Sequence, residues 1–286
     1  MDIVRRAQAI RGIVRRARES GLRVGLVPTM GALHEGHRGL IRAINEGTDV
    51  SVVSVFVNTA QFGPGENPES YPRDQAADVD VCVAEGVDYL FLPEAEEIYP
   101  PGASTHVKVD GLSDRLEGAS RPGHFQGVAT VVTKLLNIVG PHVVAFGQKD
   151  AQQAAIIQRI VVDLFLDVEV EVHPTVRDAD GLALSSRNRF LSEDERTAAA
   201  AVSRALDTAQ RRVEEGETDA EKIAEAVRTV IDSEPLLRVD YVELVDRNIF
   251  TSIDVLEKEA LLVMAIHCGT TRLLDNILLS PAAGDT

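Results

Sequence analysis

Between Val24 and His173 short runs rich in β-branched residues (RVGLVP, VSVVSVFV, YLFLP, HVVAFG, DVEVEVHP) alternate with stretches whose apolar positions recur every three or four residues, such as GHRGLIRAI, DQAADVDVCVAEG, GVATVVTKLLNIV and DAQQAAIIQRIVVDLF. A short continuous apolar run marks a strand covered on both faces, and a period near 3.6 marks a helix with one buried face. Strands separated by helices require crossover connections. The pattern therefore predicts a parallel sheet of five strands in the α/β class, a doubly wound, Rossmann-like arrangement whose ligands sit at the strand carboxyl ends.

The flanks read differently. At the start, Ile3, Val4, Ala7, Ile10 and Val14 fall on one helical face. The stretch is Arg-rich like a transit peptide, but a strand and a motif follow at once, so a surface helix of the folded protein is expected. From Pro93 to Gly127 Pro, Gly and Ser accumulate around one short alternating piece, His106 to Val109, which predicts an excursion of long loops. After about Asp178 two helices come in succession, with capping boxes at Ser192–Glu195 and Thr218–Glu221. VDYVELVD, ALLVMAIHCG and TRLLDNILL then read as strands of a separate small sheet. Two domains are expected, residues 1–176 and a smaller α+β domain over 177–286.

Composition narrows the function classes. A chain of 286 residues suffices for one large domain or two modest ones. Its net charge of −16 argues against a non-specific grip on nucleic acid or anionic membrane, so an anionic ligand needs a local positive site. No apolar run approaches the ~18 residues of a membrane helix. Cys82 and Cys268 each lie inside an apolar segment, as reduced core thiols do, which points to a soluble protein of the cytoplasm.

Four segments carry residues fit for chemistry. Pro28-Thr29-Met30-Gly31-Ala32-Leu33-His34-Glu35-Gly36-His37 reads as a strand end, a tight turn and a helix start, where free N–H groups, the helix dipole and two imidazoles meet a phosphate. The alternative is two surface histidines beside an ordinary turn. Zinc is disfavoured, since Glu35 does not complete HExxH and no third ligand is near, and GxGxxG is absent. Phe146-Gly147-Gln148-Lys149-Asp150 repeats the design at a later strand, with Gln153 four residues beyond Lys149 and expected in the same crevice. The alternative there is an Asp cap with exposed Lys and Gln. Leu184-Ser185-Ser186-Arg187-Asn188-Arg189, following Val176 to Gly181 at the domain junction, offers two hydroxyls and two guanidiniums as an anion clamp, or else a charged linker. Asn58 and Gln61, at the end of VSVVSVFV, are neutral hydrogen-bonders suited to a hydroxy acid, or else parts of a turn.

Taken together, PTMGALHEGH, VNxxQF, YPR at Tyr71–Arg73, RPGHF at Arg121–Phe125, FGQKDAQQ, SSRN, DYVEL and GTTRLLDN closely resemble the pantothenate synthetase (pantoate:β-alanine ligase) family over nearly the whole chain. The resemblance implies attack of pantoate on the α-phosphorus of ATP, then displacement of AMP by β-alanine. It implies that Met30, Gly31, Ala32, Leu33, His34, Glu35, Gly36 and His37 bind the triphosphate, with His37 as proton donor. Gly147, Gln148, Lys149, Asp150, Val176, Leu184, Ser185, Ser186 and Arg187 complete the ATP site. His34, Lys149 and Arg187 act with His37 in catalysis, and Gln61 and Gln153 hold pantoate beside Asn58. A homodimer is implied, and Mg²⁺ carried on the phosphates without an assigned protein ligand. Two departures stand out: Thr59 replaces the family's usual Pro, which predicts a looser loop at Gln61, and Ala77 leaves Asp78 as the one candidate carboxylate for Mg²⁺ there. Another HxGH transferase, acting on a phosphate ester, and a silent nucleotide-binding protein are the alternatives.

Overall fold

Aliphatic runs buried on both faces build the first sheet of the computed structural model, which describes residues 1–63 and 66–282. In chain order the elements are β1 (Asp2–Val4), α1 (Ala7–Glu19), β2 (Val24–Thr29), α2 (Glu35–Gly47), β3 (Val50–Val55), α3 (Gln75–Ala84), β4 (Tyr89–Phe91), α4 (Ala95–Ile98), α5 (Glu117–Ser120), α6 (His124–Val139), β5 (Val143–Gly147), α7 (Ala151–Asp163) and β6 (Glu169–His173). The strands pair in parallel in the order β1-β4-β3-β2-β5-β6. Val27, Val53, Leu90 and Ala145 point into one cluster with Ile41 and Ile44 of α2 and Cys82 of α3. Alternation sends Leu26 and Val52 to the opposite face, where α1 and α6 pack on each other and on β2. Covered on both sides, the sheet is doubly wound.

Two expectations change here. There are six strands, because Asp2–Val4 pairs with Tyr89–Phe91 as an edge strand and α1 begins only at Ala7. Ile3 and Val4 satisfied a helical period as readily as an extended one, and only a sheet edge offering hydrogen bonds separates the two. His106–Val109 forms no strand, in keeping with the expected excursion of loops.

The order of strands places the crevice. From β2 the chain winds one way through β3 and β4, then returns to the other side of β2 for β5 and β6, so β2 and β5 flank the reversal. β2 pairs with β3 along six residues but with β5 only at Gly25 and Leu26, against Val143 and Val144. Ladder pairing between β2 and β5 thus stops short of their carboxyl ends.

The chain forms two compact units, Met1–Gln148 with Gln152–Pro174, and Lys149–Ala151 with the chain from Thr175 onward. In the second unit α8 (Glu193–Glu214) and α9 (Ala220–Asp232) share an aliphatic core with the antiparallel sheet of β7 (Leu237–Val245), β8 (Ala260–Cys268) and β9 (Thr271–Leu279). Ser192 and Glu195 cap α8 reciprocally. The second cap falls one residue later than expected: Asp219, not Thr218, accepts from Lys222 N. Among the described residues no helix is long and apolar enough to cross a membrane. Both thiols are buried and free, and burial pushes Cys82 up to about 11.

Candidate active site

The turn after β2 is built around two histidines that cap their own helix. His34 is the N-cap of α2: its Nδ1 accepts from Gly36 N at 3.1 Å, while His37 Nδ1 accepts from His34 N at 3.2 Å. A ring nitrogen that accepts carries no proton, so in both neutral imidazoles the proton sits on Nε2. The rings lie 4.1 Å apart between centroids. Gly36 is required beside them, since a Cβ there would stand 2.9 Å from His34 Cε1.

The rest of the turn is held by a buried carboxylate. Asp78, 3% exposed, accepts from Ala32 N at 3.2 Å and Leu33 N at 2.8 Å. Gly31 N donates to Thr29 Oγ1, and His37 N and Arg38 N donate to His34 O. The backbone N–H groups of residues 31–34 and 36–38 are therefore spent inside the protein, which corrects the expectation that free N–H groups would meet the ligand. Gly31 at φ 86° and Ala32 at φ 52° make the left-handed reversal, and a Cβ on Gly31 would press to 2.7 Å from Asp78 Oδ2. Met30 and Leu33 are half-buried. Glu35 turns its carboxylate to Arg42 and Arg38, so its side chain belongs to an ion-pair network on α2.

Gln61 ends a short 3-10 turn, Thr59–Gln61, after β3. Asn58, 1% exposed, donates to Gln61 Oε1 at 3.0 Å and to Gly127 O at 3.1 Å, and accepts from Tyr99 Oη at 2.9 Å. Its amide is thus engaged by Gln61, Gly127 and Tyr99. The Gln61 carbonyl is held at 2.9 Å by His124 Nδ1, whose Nε2 accepts from Arg121, itself bidentate on Glu66. Burial, and then the Arg121 charge, push His124 down to about 4, so the ring is neutral. Gln61 is thus anchored at both its side chain and its carbonyl. Gln153 is half-buried in α7. Its neighbour Gln152, not singled out from the sequence, is buried and ties α7 to Leu112 O, Arg115 O and Glu117 N.

The remaining candidates divide between the two units. Gly147 and Gln148 close β5 in the first, whereas Lys149 and Asp150 cluster with the second, so Lys149 and Gln153 do not share a unit. Within the second unit Lys149, Ser185 and Arg187 line one cavity with Asn188, Arg272 and Asp275. Asn276 fixes the Lys149 carbonyl at 3.0 Å, and Lys149 Nζ is 3.4 Å from Asp150 Oδ1. Leu184 N donates to Val176 O at 2.9 Å, closing a loop that Arg177 clamps bidentately to Asp275, 3% exposed. Ser185 caps the 3-10 turn Ser186–Phe190 through Arg187 N. Among the described residues no carboxylate pairs with Arg187, and Asn188 Oδ1 is buried without a donor. Residues from two distant segments, Lys149 and Ser185 with Arg187, thus line one cavity. Tyr99, His124, Gln152 and Arg272 were missed as site-builders, since their partners lie far away in sequence.

The family model for pantoate-beta-alanine ligase matches residues 2–278, spanning both units and every segment just described. The chain belongs to the pantoate-beta-alanine ligase family. Pantothenate synthetase of Acidobacterium capsulatum is 52% identical over 262 residues, covering 91% of this chain and 88% of that protein. That of Pelotomaculum thermopropionicum is 50% identical over 270 residues, covering 94% and 96%. Among solved structures, pantothenate synthetase from Thermus thermophilus superposes with a TM-score of 0.93 at 40% identity, covering 98% of this chain and all of that one. Pantoate-beta-alanine ligase from Francisella tularensis, complexed with beta-gamma ATP and beta-alanine, gives 0.80 at 32% identity, covering 97% of each chain. As a member of this ligase family the chain is an enzyme that forms the amide bond between pantoate and β-alanine.

Proposed function

We propose that this ligase joins its substrates through a pantoyl adenylate, with ATP as co-substrate. A carboxylate oxygen of pantoate attacks the α-phosphorus, and the bond to the bridging oxygen breaks as pyrophosphate leaves. The amine of β-alanine then attacks the acyl carbon, loses a proton, and expels AMP. Attack at phosphorus asks the protein mainly for positioning and for donors where charge develops. The observation that carries this reading is the reciprocal capping of His34 and His37, which leaves each imidazole with its proton on Nε2 at the carboxyl end of β2. His37 serves as the proton donor toward the leaving phosphate, with His34 beside it.

Lys149, Ser185, Ser186 and Arg187 supply the charge and hydroxyls that follow pyrophosphate, while Gln61 and Gln153 hold pantoate. The first unit binds ATP and pantoate, and the second acts as a lid, hinged near Val176 to Arg187, that keeps water from the mixed anhydride. Mg²⁺ rides on the phosphates and water, neutralising their charge when bound. Asp78 is the candidate carboxylate at the turn, and its two oxygens each accept one backbone N–H there. A homodimer in a reducing cytoplasm completes the reading, in keeping with two buried free thiols.

The deciding experiment is pyrophosphate–ATP exchange with Mg²⁺ and pantoate but no β-alanine, followed by β-alanine while AMP is monitored. Pantoate-dependent exchange, then AMP released only with the amine, is the expected result; exchange that ignores pantoate overturns the adenylate.

A further inference from the structure

The direction in which the Gln61 amide points is decided several side chains away. An amide side chain has two orientations of nearly equal shape, and its partners select between them. The carbonyl of Gly127 can only accept, so Asn58 must turn Nδ2 toward it, at 3.1 Å. The second N–H of that group then donates to Gln61 Oε1 at 3.0 Å, while Asn58 Oδ1 takes the Tyr99 hydroxyl at 2.9 Å. With Oε1 engaged, Gln61 turns its Nε2 the other way, toward Met30 Sδ at 3.0 Å.

Each link of this relay is pinned. Burial pushes the Tyr99 phenol up to about 12, which keeps it a hydrogen-bond donor at neutral pH. Lys134 Nζ lies 4.4 Å from the centre of its ring and donates to Ile98 O at 2.8 Å, fixing the ring against the relay. Gly127 lets α6 approach the 3-10 turn, since a Cβ there would stand 2.4 Å from Ala60 O. His124 holds the Gln61 carbonyl in place.

The geometry points to Tyr99, acting through Asn58, as a positioning residue for the ligase reaction. It holds the Gln61 amide with Oε1 taken by Asn58 and Nε2 on the opposite side, beside Met30. The edge this side chain has left to offer a ligand is therefore N–H, which takes an acceptor such as a carboxylate or hydroxyl oxygen and disfavours a ligand donor. A carboxylate offers only acceptors, and an inverted amide would set Oε1 against it. The inference rests on the reading of Gln61 as a pantoate contact.

A double-mutant cycle on the full-length enzyme tests it, read as the KM for pantoate in pyrophosphate–ATP exchange. Tyr99→Phe is expected to raise that KM about three- to tenfold, the scale of one buried neutral hydrogen bond, with the KM for ATP unchanged. In a Gln61→Met background, which keeps the side-chain shape, the same substitution is expected to change nothing. Equal effects in both backgrounds, or none in either, overturn the relay. Gln61→Met leaving the pantoate KM untouched overturns the pantoate contact itself. Should Tyr99→Phe fail to fold, Lys134→Met, which frees the ring, carries the same cycle with the same expected pattern.

Discussion

Single atoms decide the chemistry around His34 and His37. Each imidazole takes a backbone N–H on Nδ1, so the proton each can offer is already on Nε2 before any ligand arrives. His37→Ala should cost at least about 10²-fold in pyrophosphate–ATP exchange, and Lys149→Ala the same, the usual scale for losing a preorganised donor. Wild-type exchange in either variant would remove that residue from the mechanism. Gly36→Ala tests the capping itself. Its Cβ would stand 2.9 Å from His34 Cε1, so the ring must move, and exchange should fall toward about 10²-fold as for a displaced catalytic group. The fold should survive, since alanine suits a first helical turn; far-ultraviolet circular dichroism checks that.

Elements, not single residues, carry the anchor of Gln61. The 3-10 turn after β3 is clamped to the start of α6 by His124, a neutral ring depressed by burial to about 4 from an ordinary 6.5. In the unfolded chain this imidazole binds its proton near 6.5, whereas in the folded protein it resists down to about 4. Between those values the unfolded state holds more protons. Stability is full above pH 6.5 and declines as pH falls toward 4, by on the order of 3 kcal/mol from this group. His124→Gln keeps a donor for Gln61 O and removes the titration. Urea unfolding across this range should therefore slope less with pH in the variant than in the parent; equal slopes would show that His124 is not the titrating group.

Over the whole molecule, the residues proposed for one triphosphate belong to two units. His34 and His37 lie in the first, and Lys149, Ser185 and Arg187 in the second. The Ser186–Phe190 turn carries Arg187, unpaired with any described carboxylate, and the exposed Arg189. Trypsin should cut after Arg187 or Arg189 readily without ligands and distinctly more slowly with ATP and pantoate together. Mass spectrometry of the fragments locates the cut, and an unchanged rate would count against closure of the second unit. In a chain of net charge −16, Lys149, Arg187 and Arg272 line one cavity of the second unit together with Asp275.

The sequence alone was enough for what depends on local period and spacing. Alternating runs and helical periods between Val24 and His173 prescribed a doubly wound parallel sheet, and residues at strand ends marked where chemistry would gather, because side-chain direction follows from backbone period. His34, His37, Lys149, Ser185, Arg187 and Gln61 were legible as candidates for that reason. The structure decided what depends on partners remote in sequence. Asp2–Val4 became a strand through pairing with Tyr89–Phe91. The Ala32 and Leu33 N–H groups of the histidine turn are consumed by Asp78, more than forty residues onward. Asn58 found its partners in Gln61, Gly127 and Tyr99, the last two far along the chain. A buried polar group must find its partner wherever the chain brings one, and folding alone determines which distant residue that is.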